Sequence, residues 1–149
     1  FEVLPKGKDI NDVMFIFLSL EDNKGNVVSR NEYVIAEVMD KHDWSKYRWW
    51  RTQMESYADF SALDCLAPAE VAVSVDNNKV TLENKSDLVA FFVRMDLKDA
   101  SGEIVPGFWS DNLVTLQPRQ TLTFTCKREN STTLTVSGWN VKEKKIDIL

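Results

Sequence analysis

The chain has 149 residues, of which 44% are apolar and 28% charged, a balance that excludes an intrinsically disordered segment and gives room for one ordinary domain, or one small domain and part of another. Its net charge of −5 argues against a nucleic-acid partner, because phosphate binding needs a basic footprint. No apolar run approaches the roughly 20 residues that cross a bilayer, so no membrane partner is expected, and two cysteines are too few for a disulfide scaffold or a metal cluster.

The chain begins at Phe1 without an initiating methionine, and it is expected to be a piece of something longer. Residues 1–40 read as three short strands. Phe1 to Leu4 is the first, followed by turn chemistry at Pro5-Lys6-Gly7-Lys8. Val13 to Leu20 is apolar on both faces, with Met14, Ile16, Leu18 and Leu20 on one side and Val13, Phe15 and Phe17 on the other. Such a strand should be covered on both sides. Glu21 to Asn26 makes a turn rich in Asn and Gly, and Val27 to Val38 returns as the third strand. Three strands cannot close a sandwich, so residues 1–40 read as the last strands of a preceding one. Their apolar face must then be covered by the final domain or by a second copy of the chain, in a homodimer.

Residues 41–68 change character. Asp43-Trp44-Ser45-Lys46-Tyr47-Arg48-Trp49-Trp50-Arg51 has neither strand alternation nor a helical stripe, and it reads as a connector wrapped over a surface, with a short helical turn around Tyr57 to Leu63. Pro68 marks entry to the last unit, 69–149.

There the alternation is regular. Val71, Val73 and Val75 face inward, Asp76-Asn77-Asn78 turns, and Val80 and Leu82 face inward on the next strand. After the polar loop Glu83 to Asp87, the row Val89, Phe91, Val93, Met95 and Leu97 is the central strand, running into Asp99-Ala100-Ser101-Gly102. Further strands are predicted at Leu113 to Leu116, Thr121 to Lys127 and Thr132 to Asn140, with a Pro118 turn between the first two and a Glu129-Asn130-Ser131 turn before the third. Lys142 to Lys145 reads as a solvated tail. Six or seven short strands with turn signals between them make an all-β, immunoglobulin-like β-sandwich. The segment Phe17 to Gly25 echoes Arg94 to Gly102, each placing a strand before an Asp-x-x-Gly turn. Tandem related sandwiches or simple strand-then-turn grammar would both give this.

Little in the pattern carries chemistry. His42 is the only histidine, and the five glycines are isolated, so no phosphate loop is present. Any two acids could be spaced like a glycosidase pair at roughly 5 to 10 Å. None, however, sits in a pattern that would raise its pKa as a general acid requires. Cys126 continues the row Leu122, Phe124, Cys126 and reads as a buried core thiol, whereas Cys65 lies in a linker. Trp44, Trp49 and Trp50, with Tyr47 and Tyr57, fit a sugar-stacking platform, a nucleic-acid surface or interdomain packing, the last being preferred. Trp109, Asp111 and Asn112 fit a ligand-reaching loop or a rigid turn whose Asp and Asn bond to backbone.

These stretches resemble the C-terminal end of glycoside hydrolase family 2 enzymes of the β-mannosidase and exo-β-glucosaminidase branch. The matching segments are Asn31-Glu32-Tyr33-Val34-Ile35, Asp43-Trp44, Trp49-Trp50, Tyr57-Ala58-Asp59-Phe60-Ser61-Ala62-Leu63, Ala90-Phe91-Phe92-Val93-Arg94, Phe108-Trp109-Ser110-Asp111-Asn112 and Leu116-Gln117-Pro118. Together they span about Val13 to Asn140. There are two departures. Val34 stands where the family has Trp, and Arg119 replaces the glycine of a Leu-x-Pro-Gly turn. The second points to a type I turn rather than a type II turn with positive φ.

The resemblance implies a parent enzyme that removes terminal β-mannosyl or β-glucosaminyl units by a retaining double displacement, with two glutamates on an upstream (β/α)8 barrel. It implies a periplasmic or secreted setting. No position here matches the catalytic motifs, so no catalytic residue, metal ligand or cofactor is expected in this chain. Its partners would be the upstream domains of the same polypeptide and, for the parent enzyme, a carbohydrate. An autonomous carbohydrate-binding module is the alternative reading.

Overall fold

The structure, a computed structural model, describes residues 12–148, so the strand read at Phe1 to Leu4 and the turn at Pro5 to Lys8 lie outside the described residues. The chain forms two compact units that meet in sequence at Cys65 and Leu66. Each is taken by itself.

In the first unit, β1 (Val13–Glu21) and β2 (Val27–Ala36) pair antiparallel from Val13 opposite Ala36 to Glu21 opposite Val27. Asp22 ties the connecting turn. Its Oδ1 accepts from the backbone N–H groups of Lys24 (2.8 Å) and Asn26 (2.9 Å), and Gly25 supplies the left-handed residue at φ 81°. Val13 to Phe17 are half-buried, but Leu18, Leu20, Val27 and Val28 are exposed. Among the described residues of this unit, Ala36 alone is fully buried.

Within the stretch 41–68 read as a connector, the lack of strand alternation is misleading for residues 41–56. They form a hairpin of β3 (Lys41–Arg48) and β4 (Arg51–Ser56), with Trp49 and Trp50 as the turn. Period-two alternation is absent because the ladder is interrupted between Asp43 and Arg48, which pair with Gln53 and Arg51 respectively. Asp43 organises that excursion, its Oδ1 accepting from the Ser45 N–H (3.1 Å) and Oγ–H (2.5 Å). The short helical turn occurs at Ser61–Cys65 as a 3-10 turn, with the Asp59 carboxylate accepting from the Ser61 N–H at 2.9 Å.

The second unit is a sandwich of two sheets. One has the order β5 (Val71–Asp76), β6 (Lys79–Asn84), β11 (Thr121–Arg128) and β9 (Gly107–Trp109). The other runs β10 (Val114–Leu116), β7 (Ala90–Lys98), β12 (Thr133–Gly138) and β13 (Val141–Asp147), with β8 (Ile104–Val105) also pairing with β7. Alternation drives this assembly. Val80, Leu82, Phe124 and Cys126 from one sheet meet Val93, Met95, Leu97, Leu116, Leu134 and Val136 from the other in a single core. Leu82, Leu116 and Leu134 are 0% exposed, so truncating any of them to Ala costs about 2–5 kcal/mol.

Three local features depart from the reading. The alternating row of β7 is broken by a bulge: Ala90 and Phe91 are both buried, Phe92 adopts φ 48°, and Val93 resumes the row. A bulky residue in that region costs about 1–3 kcal/mol. The bulge is fixed from the neighbouring chain segment by the Trp139 N–H donating to Phe91 O at 2.8 Å. Second, the last predicted strand ends at Gly138, turns at Trp139 and Asn140, and returns as β13, so Lys142 to Lys145 is a strand with exposed side chains rather than a tail. Charges on an outer strand deter pairing with other chains. Third, Arg119 adopts φ 62°, and Gln120 N–H bonds to Gln117 O at 3.1 Å, so the Pro118 turn keeps the positive φ that glycine would supply. Its side chain holds it there, donating through Nε to Asp87 at 2.8 Å and through Nη1 to Lys85 O.

The echo between the units is structural. Asp99 Oδ1 accepts from the N–H groups of Ser101 (2.9 Å) and Glu103 (3.0 Å), and Gly102 sits at φ 87°, repeating the wiring of Asp22 and Gly25.

Candidate functional site

The aromatic residues singled out from the sequence fall on both units. On the first, β3 carries Trp44 beside His42, with ring centroids 5.4 Å apart, and beside Tyr47 at 6.3 Å. The turn carries Trp49 and Trp50, 5.2 Å apart and crossed at 82°. Trp44, Trp49 and Trp50 are 69%, 82% and 66% exposed. Their exposure follows from the local fold. Trp49 and Trp50 form the turn beyond the last paired residues, and the Asp43 excursion takes residues 44–47 off the ladder. Lys46 Nζ reaches Asp43 at 2.8 Å, and this hydrogen bond, with that of Ser45, holds the Asp43 carboxyl down to about 2.

On the second unit, Trp109 sits opposite Cys126 on β11 and packs, half-buried, against the core. Ser110 closes the adjoining ladder, its N–H donating to Thr125 O at 2.9 Å and its Oγ accepting from Thr125 N–H at 3.0 Å. Asp111 accepts from the Asn112 N–H at 2.8 Å. The Asn112 amide then mimics a strand residue beside β7, accepting from Met95 N–H at 2.9 Å and donating to Met95 O at 2.8 Å. Trp109 and Asn112 are thus committed to packing and backbone. Next to them Phe108, 79% exposed, borders an open groove of about 460 Å³ with Val105, Pro106, Lys127 and Arg128. The sequence reading passed over Phe108 as a site residue. Its place beside inward Trp109 in a three-residue strand, on the opposite face, was the available signal.

Two buried asparagines also escaped the sequence reading. Asn84, 0% exposed, and Asn140, 8% exposed, bond only to backbone and to a neighbouring serine. Asn140 accepts from Phe91 N–H at 2.9 Å and donates to Val89 O at 2.8 Å and Ala67 O at 2.9 Å, pinning the bulge of β7. Asn84 lies in the stretch read as a polar loop and Asn140 at the end of the last predicted strand, and neither place marks a buried polar anchor on sequence alone.

Five aspartate carboxyls are shifted, all in the same direction. Asp22, Asp43, Asp59, Asp87 and Asp99 are all pushed below the ordinary aspartate value, in each case first by a side-chain hydrogen bond, from Asn26, Lys46, Ser61, Arg119 and Ser101 respectively. A group that must donate a proton near neutral pH needs the opposite shift. Burial pushes the Cys126 thiol up, and Cys65 is exposed; both are free thiols. No three His, Cys, Asp or Glu side chains among the described residues are grouped as a metal site.

Two facing antiparallel sheets of this strand order, closed around one apolar core, make the second unit an immunoglobulin-like β-sandwich domain. The chain belongs to the exo-β-D-glucosaminidase Ig-fold domain family, which it matches over residues 49–141. It is 40% identical to an exo-β-D-glucosaminidase of Arthroderma benhamiae, over 94% of this chain and 17% of that protein. An exo-β-D-glucosaminidase of Hypocrea jecorina is 35% identical over 99% of this chain and 17% of its own length. The crystal structure of the Amycolatopsis orientalis exo-chitosanase CsxA superposes with a TM-score of 0.85 at 28% identity, covering 99% of this chain and 19% of that one. The chain therefore spans less than a fifth of these relatives' length.

Proposed function

We propose that this chain is a non-catalytic β-sandwich region of an exo-β-D-glucosaminidase of glycoside hydrolase family 2. The complete enzyme removes terminal β-D-glucosaminyl residues, with its acid and nucleophile on a barrel elsewhere in the polypeptide. The described residues up to 40 would be strands of a preceding sandwich, 41–68 would join it to the next, and 69–149 would hold the immunoglobulin-like domain. The observation that carries this reading is the family match together with relatives of which the chain makes up only 17%. Of the two glycosides implied by the sequence motifs, the glucosaminyl one draws support from the named activities of the relatives. An autonomous carbohydrate-binding module is the second reading, favoured only by the exposed rings of Trp49 and Trp50.

The test compares substrates on the complete polypeptide. Incubated with chitosan oligomers and with β-mannan oligomers, it should release glucosamine from the first and no mannose from the second. Release of mannose alone would overturn the glucosaminyl assignment.

A further inference from the structure

The aromatic hairpin is also a charged one. Between Lys41 and Arg51 the cations Lys41, Lys46, Arg48 and Arg51 stand against one carboxylate, Asp43, in a polypeptide whose overall charge is −5. That carboxylate is engaged locally by Lys46 at 2.8 Å. Arg48 and Arg51 are direct partners across the tip, on either side of Trp49 and Trp50. Like charges opposite one another in a ladder destabilise it. Arg48 donates from Nη1 to Tyr47 O at 2.9 Å, and among the described residues neither arginine has an ion-pair partner. The tip thus combines two features that are unfavourable on an isolated ribbon, exposed indoles and a facing arginine pair. Trp and Arg are the residues enriched at the anchoring points of protein interfaces.

The same charge disfavours a sugar. The polymer on which the chitosan-degrading relative acts is a polyamine, and its ammonium groups would be repelled by this basic stretch. The crossed rings of Trp49 and Trp50, at 82°, also fail to give the flat, continuous platform on which successive sugar rings stack.

We infer that the hairpin tip docks on an acidic protein face of the rest of the polypeptide, Trp49 and Trp50 filling an apolar depression while carboxylates neutralise Arg48 and Arg51 together. This rests on the proposed function, since it places the partner within the same enzyme. An enzyme that draws in a polycation has acidic faces to offer, and more than four-fifths of each relative's length lies outside the region matched here.

The experiment uses the complete polypeptide, wild type and with Arg48→Glu plus Arg51→Glu, under limited digestion by thermolysin. The reversed pair should speed release of the C-terminal piece about tenfold, while Arg48→Lys plus Arg51→Lys should stay within about twofold of wild type. In the isolated 149-residue chain the reversal should leave the melting temperature unchanged, because it exchanges one like-charged pair for another. Unaltered release from the complete polypeptide would overturn the inference. So would an equal loss of stability in the isolated chain, which would make the arginines structural, or a saturable tryptophan fluorescence change of that isolated chain with chitosan hexamer, which would make the tip a sugar site. Glucosaminidase activity, measured on the same samples, reports on the proposed function separately, because proteolytic release does not depend on it.

Discussion

Asn84 holds together three segments of the second unit, and its replacement gives the sharpest test of how that unit is built. Its Nδ2 donates to Leu88 O at 2.6 Å and to Gln117 O at 3.0 Å, with Leu116 O at 3.4 Å, while Oδ1 accepts from Ser86 N–H at 3.1 Å and Ser86 Oγ–H at 2.6 Å. The side chain is 0% exposed, so water cannot replace these bonds without the loops opening. At about 1 kcal/mol net for each of the bonds to Leu88 O, Gln117 O and Ser86 Oγ, Asn84→Ala should lose about 3 kcal/mol. For a unit of this size that is a fall in Tm on the order of 10–20 °C.

Asn84→Asp separates hydrogen bonding from shape. It keeps the acceptor but turns the donor into a carboxylate oxygen facing carbonyls, so burial and repulsion should raise the pKa of the introduced carboxyl above its unfolded value. The penalty is then full at neutral pH and relaxes as pH falls through that raised value, because the protonated acid regains one donor. Thermal melts by circular dichroism, run from neutral into mildly acidic buffer, would read both variants. If Asn84→Asp melted within about 2 °C of wild type at neutral pH, the three-segment anchor described above would be wrong.

Other outcomes follow from the same contacts. Arg119→Gly should unfold at higher urea than Arg119→Ala, since both lose the bonds to Lys85 and Asp87 but only glycine accepts φ 62° without strain; the reverse order would refute the strained turn. Asp43 should titrate near 2 in carboxyl carbon NMR, and its support for the hairpin, present above the unfolded aspartate value of 3.8, should be lost as pH falls toward 2. A midpoint at the ordinary value would mean that the Lys46 and Ser45 contacts do not hold in solution. A thiol reagent should label Cys65 at once and Cys126 only on unfolding, because Cys65 is exposed while Cys126 is 2% exposed with its thiol pushed up by burial. Equal rates would contradict the buried assignment.

The sandwich was legible because its strands obey period two: Val80 and Leu82, Val93, Met95 and Leu97, and Phe124 and Cys126 all point where alternation puts them. The Asp-x-x-Gly echo was legible because an Asx-tied turn needs those two residue types at that spacing. What stayed hidden depends on contacts distant in sequence. Nothing in Ala90 to Val93 announces a left-handed Phe92, since the bulge is set by Asn140 and Trp139 from the turn after β12. Arg119 reads as incompatible with positive φ until the Lys85 to Asp87 loop is placed beside it. The β3–β4 hairpin lacks an apolar face to read, and its pairing is broken by the Asp43 excursion. Among the aromatic residues, local pattern offered no means to tell Trp109, turned to the core, from Trp49 and Trp50, turned to solvent.

The central claim is that these residues support a glycosidase without performing its chemistry, and turnover by the purified 149-residue chain tests it most directly. With a chromogenic β-D-glucosaminide the rate should equal that of the buffer alone at every substrate concentration. Hydrolysis that saturates with substrate and scales with the amount of chain would contradict the claim.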